Sequence, residues 1–150
     1  MAVTKKQVRA ELEKDEPNYA RAAGLGPEAL PHLEELAHEE DAMIASKAVY
    51  LAGLIEGDPA DQLLAEAAAS DDPRIRIAAA SAARHRGDEA ASAVLVPLVK
   101  DHDIGVRKTA LKSVPPEPSG DLRSAVEELG DAPDEATRRL SRETLRRLER

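Results

Sequence analysis

Apolar positions along this chain follow two periods at once. Within stretches of about a dozen residues they recur every three or four positions, the spacing of an amphipathic helix. Between stretches the pattern returns after 31 residues, marked by Asp41, Asp72, Asp103 and Asp134. Three positions after these aspartates stand Ile44, Ile75, Val106 and Thr137; four positions further on stand Ala48, Ala79, Ala110 and Ser141. Upstream, Ala29, Ala60, Ala91 and Leu122 form one column, and Leu33, Leu64, Leu95 and Val126 a second. Leu36, Ala67, Leu98 and Leu129 form a third. Columns sharing one frame define a repeat, and a unit of this length buries its apolar face only by stacking on its neighbours.

Each repeat reads as two helices. The first helices are predicted to start near Pro27, Pro59, Glu89 and Asp121, after turn residues that include Gly26, Gly57 and Gly87. The second helices start at the four aspartates, whose carboxylates suit N-caps. At 100° per residue, the core face of the second helices takes Ile44, Ala48, Leu51 and Ala52 in one repeat. It takes Ile75, Ala79, Ala82 and Ala83 in the next, then Val106, Ala110, Ser113 and Val114. The last repeat offers Thr137, Ser141, Thr144 and Leu145, a fading apolar character that reads as a more solvated terminal cap. Pro97 falls inside a first helix and is expected to kink it. Pro115, Pro116 and Pro118 stiffen the link between the third and fourth pairs.

The predicted organisation is one domain over 1–150, with a degenerate N-terminal unit at 1–26 and repeats at about 27–56, 57–87, 88–118 and 119–150. In the leading unit, Thr4 and Gln7 form a capping box for a helix reaching about Lys14, Pro17 breaks it, and 18–23 form a short second helix.

Composition narrows the function classes. Phe, Trp and Cys are absent, and Tyr19 and Tyr50 are the only aromatic residues. A core of Ala, Leu, Val and Ile suits closely packed helices. Without Cys there is no disulfide, thiolate metal site or Cys nucleophile. No apolar run approaches the roughly 20 residues of a membrane span. The stretch from Met1 to Gln7 turns polar at once, unlike a secretory signal, so a cytoplasmic location is expected. The net charge of −8 disfavours non-specific adhesion to nucleic acid or membrane.

The stretches Asp101-His102-Asp103-Ile104-Gly105-Val106-Arg107-Lys108-Thr109-Ala110-Leu111 and Asp71-Asp72-Pro73-Arg74-Ile75-Arg76-Ile77-Ala78-Ala79-Ala80 resemble the HEAT repeat, in particular its short PBS-lyase-like branch. The resemblance spans about residues 20–150. It is weaker in the first pair, where Ala45 replaces the Arg, and in the fourth, with Thr137 and Ser141. It implies an all-α, right-handed α-solenoid of antiparallel helix pairs, with first helices convex and second helices concave. It also implies a role mostly in protein scaffolding, and that Arg76, Arg107 and Arg138 bridge to the Asp of an adjacent repeat.

Charge divides with the helices. Windows 27–40, 58–71, 89–102 and 120–133 hold 15 Asp/Glu and 2 Lys/Arg, whereas 41–56, 72–87, 103–118 and 134–149 hold 9 and 13. The second helices therefore read as a basic layer. Their outward positions carry Ser46, Tyr50, Ile77, Ser81, Lys108, Lys112, Arg139 and Glu143, the expected partner-binding residues. An acidic peptide or protein face fits this gradient, and charge would speed the encounter. Two further surfaces compete: the acidic first-helix layer, and the last helix with Arg139, Arg142, Arg146, Arg147 and Arg150.

Other chemistry is thin. His32, His38, His85 and His102 share no repeat register. His38-Glu39 resembles the His-Glu pairs of HEAT-like di-iron hydroxylases, but that chemistry needs several such pairs. There is no nucleophile elbow and no Gly-rich phosphate loop. The expectation is a binding module with no catalytic residue, cofactor or metal. Nucleic-acid backbone binding by the basic groove, or an accessory role in an enzyme complex, stands as the alternative; the scarcity of aromatics disfavours the former.

Overall fold

The computed structural model describes residues 2–149; Met1 and Arg150 lie outside the described residues. These residues form ten α-helices and no strand. They are α1 (Lys5–Leu12), α2 (Tyr19–Ala23), α3 (Leu30–Ala37), α4 (Ala42–Ala52) and α5 (Asp58–Ala68), then α6 (Pro73–Ala82), α7 (Asp88–Leu98), α8 (Ile104–Ser113), α9 (Gly120–Glu128) and α10 (Glu135–Leu148). Short 3-10 turns lead into α3 and follow α6 and α9.

The starts of the second helices are written in the aspartate column. Asp41 accepts the N–H of Met43 at 3.0 Å, Asp72 that of Arg74 at 2.9 Å, Asp103 that of Val106 at 3.1 Å and Asp134 that of Thr137 at 2.9 Å. Each satisfies an amide that the first turn leaves without an intrahelical partner. Ahead of α5, Gly57 sits at φ 122, where a side chain would be strained. Thr4 and Gln7 form the reciprocal capping box of α1, which ends at Leu12 rather than near Lys14. Pro97 is the penultimate residue of α7 and exposed; it sits where the helix stops.

The helices assemble in two layers. α3, α5, α7 and α9 touch in succession, as do α4, α6, α8 and α10, and each first helix packs on its own second helix. α1 joins α3, and α2 joins α4, so the leading unit extends both layers. Leu33, Leu64, Leu95, Val126, Leu51 and Leu111 are fully enclosed between them. Ala48, Ala79 and Ala110 are also fully buried, and their small side chains let the second helices come close. The fourth member, Ser141, is no solvated cap. Thr137, Ser141 and Thr144 are 1%, 0% and 3% exposed. Their hydroxyls are satisfied: Ser141 donates to the Val126 carbonyl, Thr144 to the Leu111 carbonyl at 3.1 Å, and Thr137 to Asp134 at 2.6 Å. A buried hydroxyl is tolerated when it has such a partner. Only Leu145 of that face is partly exposed.

A tight approach lies at Gly53, where α4 ends. A Cβ there would stand 2.7 Å from the Ala82 Cβ and 2.8 Å from the Ala82 carbonyl oxygen. Gly53→Ala is therefore expected to lower stability by about 1–2 kcal/mol, because overpacking against backbone outweighs a helix-propensity gain of at most ~1 kcal/mol. Denaturant unfolding followed by circular dichroism measures this; an unchanged or raised midpoint would contradict the tight α4–α6 contact.

Candidate protein-interaction surface

All eight residues expected on the outer face of the second helices are wholly or partly accessible. Ser46 and Tyr50 lie on α4, Ile77 and Ser81 on α6, Lys108 and Lys112 on α8, and Arg139 and Glu143 on α10. Their surroundings differ along the array. Ser46 reaches the Arg74 carbonyl at 3.5 Å. The Ile77 side chain crosses towards α8, where a Cβ on Gly105 would come within 3.3 Å of its Cδ1. Arg139 and Glu143 pair with each other at 3.9 Å, one turn apart on an exposed surface. Lys108 and Lys112 have no carboxylate partner among the described residues.

At the N-terminal end, the two tyrosines come together. Tyr19 meets Tyr50 edge-on at 4.8 Å between ring centres, and Tyr50 meets His85 at 5.4 Å. Tyr50 Oη and His85 Nε2 are 3.0 Å apart and share a hydrogen bond whose direction follows the His tautomer. Burial, and then the neighbouring Tyr50, push the Tyr19 hydroxyl pKa up. His85 is thus tied to the surface rather than isolated. The signal was available: Tyr19 and Tyr50 are one repeat apart, and His85 lies one repeat and one helical turn beyond Tyr50.

Much of the basic charge in the second layer is turned to structural use. Arg76 is a two-pronged partner of Asp101, at 2.8 and 3.1 Å, and both side chains are under 10% exposed. Its third nitrogen donates to the Ser70 carbonyl at 2.9 Å. Arg107 donates to the Asp101 carbonyl at 2.9 Å and to Thr137 Oγ1 at 3.2 Å, and reaches Asp134 only at 3.5 Å. Arg138 donates to the Ala132 and Pro133 carbonyls and contacts no acid of another repeat. The column therefore shares a bond to the carbonyl six residues back, while the inter-repeat bridge forms at two of its three members. Arg86 is buried against Asp61 at 2.7 Å and the Ile55 carbonyl at 2.6 Å. The window charges overstate the basic surface for this reason.

With these repeats in view, the comparisons fall into place. A model of HEAT repeats matches residues 60–146, more than half of the chain. The chain belongs to the HEAT repeat family. This HEAT protein is also similar in fold to a designed armadillo repeat protein solved with the peptide (KR)4, at 13% identity and TM-score 0.61, over 96% of this chain and 73% of that one. Two engineered proteins are similar too: one at 16% identity and TM-score 0.55, over 97% and 79% of the two chains, the other at 18% and 0.53, over 96% and 80%. No curated protein matches the sequence. The matched span begins in α5, yet the HEAT stacking continues through α3 and α4, where Ala45 stands buried in place of the Arg. No helix is long and apolar enough to cross a membrane, and no group of three or more His, Asp or Glu is arranged to hold a metal among the described residues.

Burial pushes the Asp101 carboxyl up, but hydrogen bonds from Arg76 and the Asp103 N–H, with the Arg76 charge, outweigh it and hold the pKa below the ordinary value. A depressed carboxyl pKa contributes stability above about pH 4 that is lost as pH falls through the folded-state value. Arg76→Ala is expected to cost about 3 kcal/mol near pH 7, since it strands a buried carboxylate. The gap to the native chain should shrink as pH falls towards about 3, because the variant's stranded carboxyl, pushed up by burial, takes its proton before the native one does. Thermal unfolding of both proteins from pH 7 to pH 3 tests this, and a pH-independent gap would refute the assigned pairing.

Proposed function

We propose that this HEAT repeat chain is a protein-interaction module that holds a protein or acidic peptide against the outer face of its second helices. The observation that carries this is the pair Lys108 and Lys112: adjacent turns of α8, accessible, and without a carboxylate partner among the described residues. On the first layer Lys100 is matched to Glu128 at 3.3 Å and Lys5 to Glu35 at 3.3 Å. Lys6 and Arg123, without a carboxylate partner among the described residues, stand singly on α1 and α9 rather than as a pair on adjacent turns. Unmatched cations on a regular surface favour an oppositely charged partner and speed its encounter. Tyr19, Tyr50 and Ile77 supply apolar contact beside them, aromatic residues being favoured as interface anchors. The designed armadillo repeat protein holds a basic peptide; the sign expected here is the opposite.

A second reading has its own support. Grooves between the first helices have apolar floors and acidic rims. One is lined by Leu30, Pro31, Leu63, Glu34 and Glu56, the next by Ala65, Val94, Asp58, Asp88 and Glu89. A basic segment would fit them.

The Lys108→Glu, Lys112→Glu double variant is expected to weaken capture of a native partner by about tenfold or more, with binding that also falls as salt rises. The control Lys100→Glu, on the first layer, should bind as the native chain does. Quantitative pull-down at low and high salt reads both. Unchanged capture by the double variant, with loss in a Glu34→Lys, Asp58→Lys variant, would move the site to the acidic grooves.

A further inference from the structure

Arg84, Lys112 and Arg147 come from three successive repeats and meet at the C-terminal ends of α6, α8 and α10. They line an open pocket of about 310 Å³ together with Arg86, Asp88 and the 113–116 segment. Two guanidinium groups are oriented there without being neutralised. Arg84 Nε donates to Ser113 Oγ at 3.1 Å, which leaves both of its terminal nitrogens free. Arg147 donates to the Val114 carbonyl at 2.8 Å and the Leu111 carbonyl at 3.2 Å. None of the three cations is ion-paired among the described residues.

The remaining charges on the wall do not cancel them. Arg86 is already occupied by Asp61 and by backbone carbonyls, so that pair is neutral. Asp88 is the one carboxylate lining the pocket. Three cations facing one anion leave a local excess of two positive charges in a chain whose net charge is −8. Burial, and then the nearby Arg84 charge, push the Arg147 pKa down. Carbonyls at the end of α8 account for part of Arg147, but not for Arg84 and Lys112. Guanidinium groups with free, oriented N–H donors match the oxygens of a phosphate group, and an ammonium adds a mobile charge.

We propose that Arg84, Lys112 and Arg147 form a binding site for a doubly charged phosphate group, either free or carried on a phosphorylated side chain. The pocket lies at the rim of the second layer; it shares Lys112 with the groove reading above, but Arg84 and Arg147 belong to it alone and Lys108 is not among its lining residues.

The test follows the arginine Nε–H resonances of the full chain by NMR, while inorganic phosphate replaces chloride at fixed ionic strength and pH 7.5. Saturable shifts confined to Arg84 and Arg147 are expected, with a dissociation constant on the order of 1 mM. Arg84→Gln and, separately, Lys112→Gln should each weaken binding about tenfold, and Lys100→Gln on the first layer should leave it unchanged. Both substituted positions are exposed, and circular dichroism is the check that the variants fold. A phosphoserine peptide that binds more tightly than inorganic phosphate, beside a silent serine peptide, assigns the group to a partner; equal or weaker binding assigns it to free phosphate. Shifts that rise linearly without saturation, or persist unchanged in Arg84→Gln, would overturn the site.

Discussion

Close helix approach is the constraint on which this molecule rests. A chain without Phe or Trp has few large side chains with which to fill space. Its core must gain burial from many short contacts, each weak by itself and additive only at small separations. The fully buried column Ala48, Ala79, Ala110 and Ser141 meets that requirement along the second helices. Gly53 marks its limit, because no Cβ fits between α4 and Ala82. The leucines of the first helices then close the space from the other side. Layer order and the presentation of outward residues follow from how near the second helices stand.

Polar chemistry is arranged around that spacing. The Arg column does not simply decorate a basic face. Each member bonds the carbonyl six residues earlier, fixing its own inter-helix turn, and Arg76 and Arg107 then reach into the following repeat. In the last pair, hydroxyls replace methyl groups and are satisfied by the Val126 and Leu111 carbonyls. The cost of burying them is offset by those bonds. What is left on the second layer is a set of cations without ion partners among the described residues, including Arg84 after α6, Lys108 and Lys112 on α8, and Arg142, Arg146 and Arg147 on α10. On the reading proposed above, that residue of charge, rather than the total, is where an anionic partner would meet the chain.

The helix pairs were legible because they depend on local rules. An aspartate followed by an apolar residue three places on encodes both a cap and a face, and the 31-residue frame repeats the message four times. The outward positions follow from helical geometry for the same reason. The fates of individual arginines were not legible. Arg86 and Lys112 look alike in a charge count, yet one is enclosed among carbonyls and the other is exposed. Which of them is enclosed depends on loop paths that periodicity does not describe. The Tyr19–Tyr50 contact sat in the register, but the irregular leading unit concealed that Tyr19 belongs to the same column. His85 reached Tyr50 through a 3-10 turn that continues α6 past its last α-helical residue.

Asp101 ties two successive repeats together through one residue. Its carboxylate receives Arg76 from the preceding repeat and the Asp103 N–H at the start of α8, and its carbonyl receives Arg107. Stacked arrays communicate between nearest neighbours, and here a single buried carboxylate carries that contact. A joint of this kind makes the second and third pairs a single cooperative block, so that amides in α6 and α8 would exchange with solvent in one opening event while the ends fray separately.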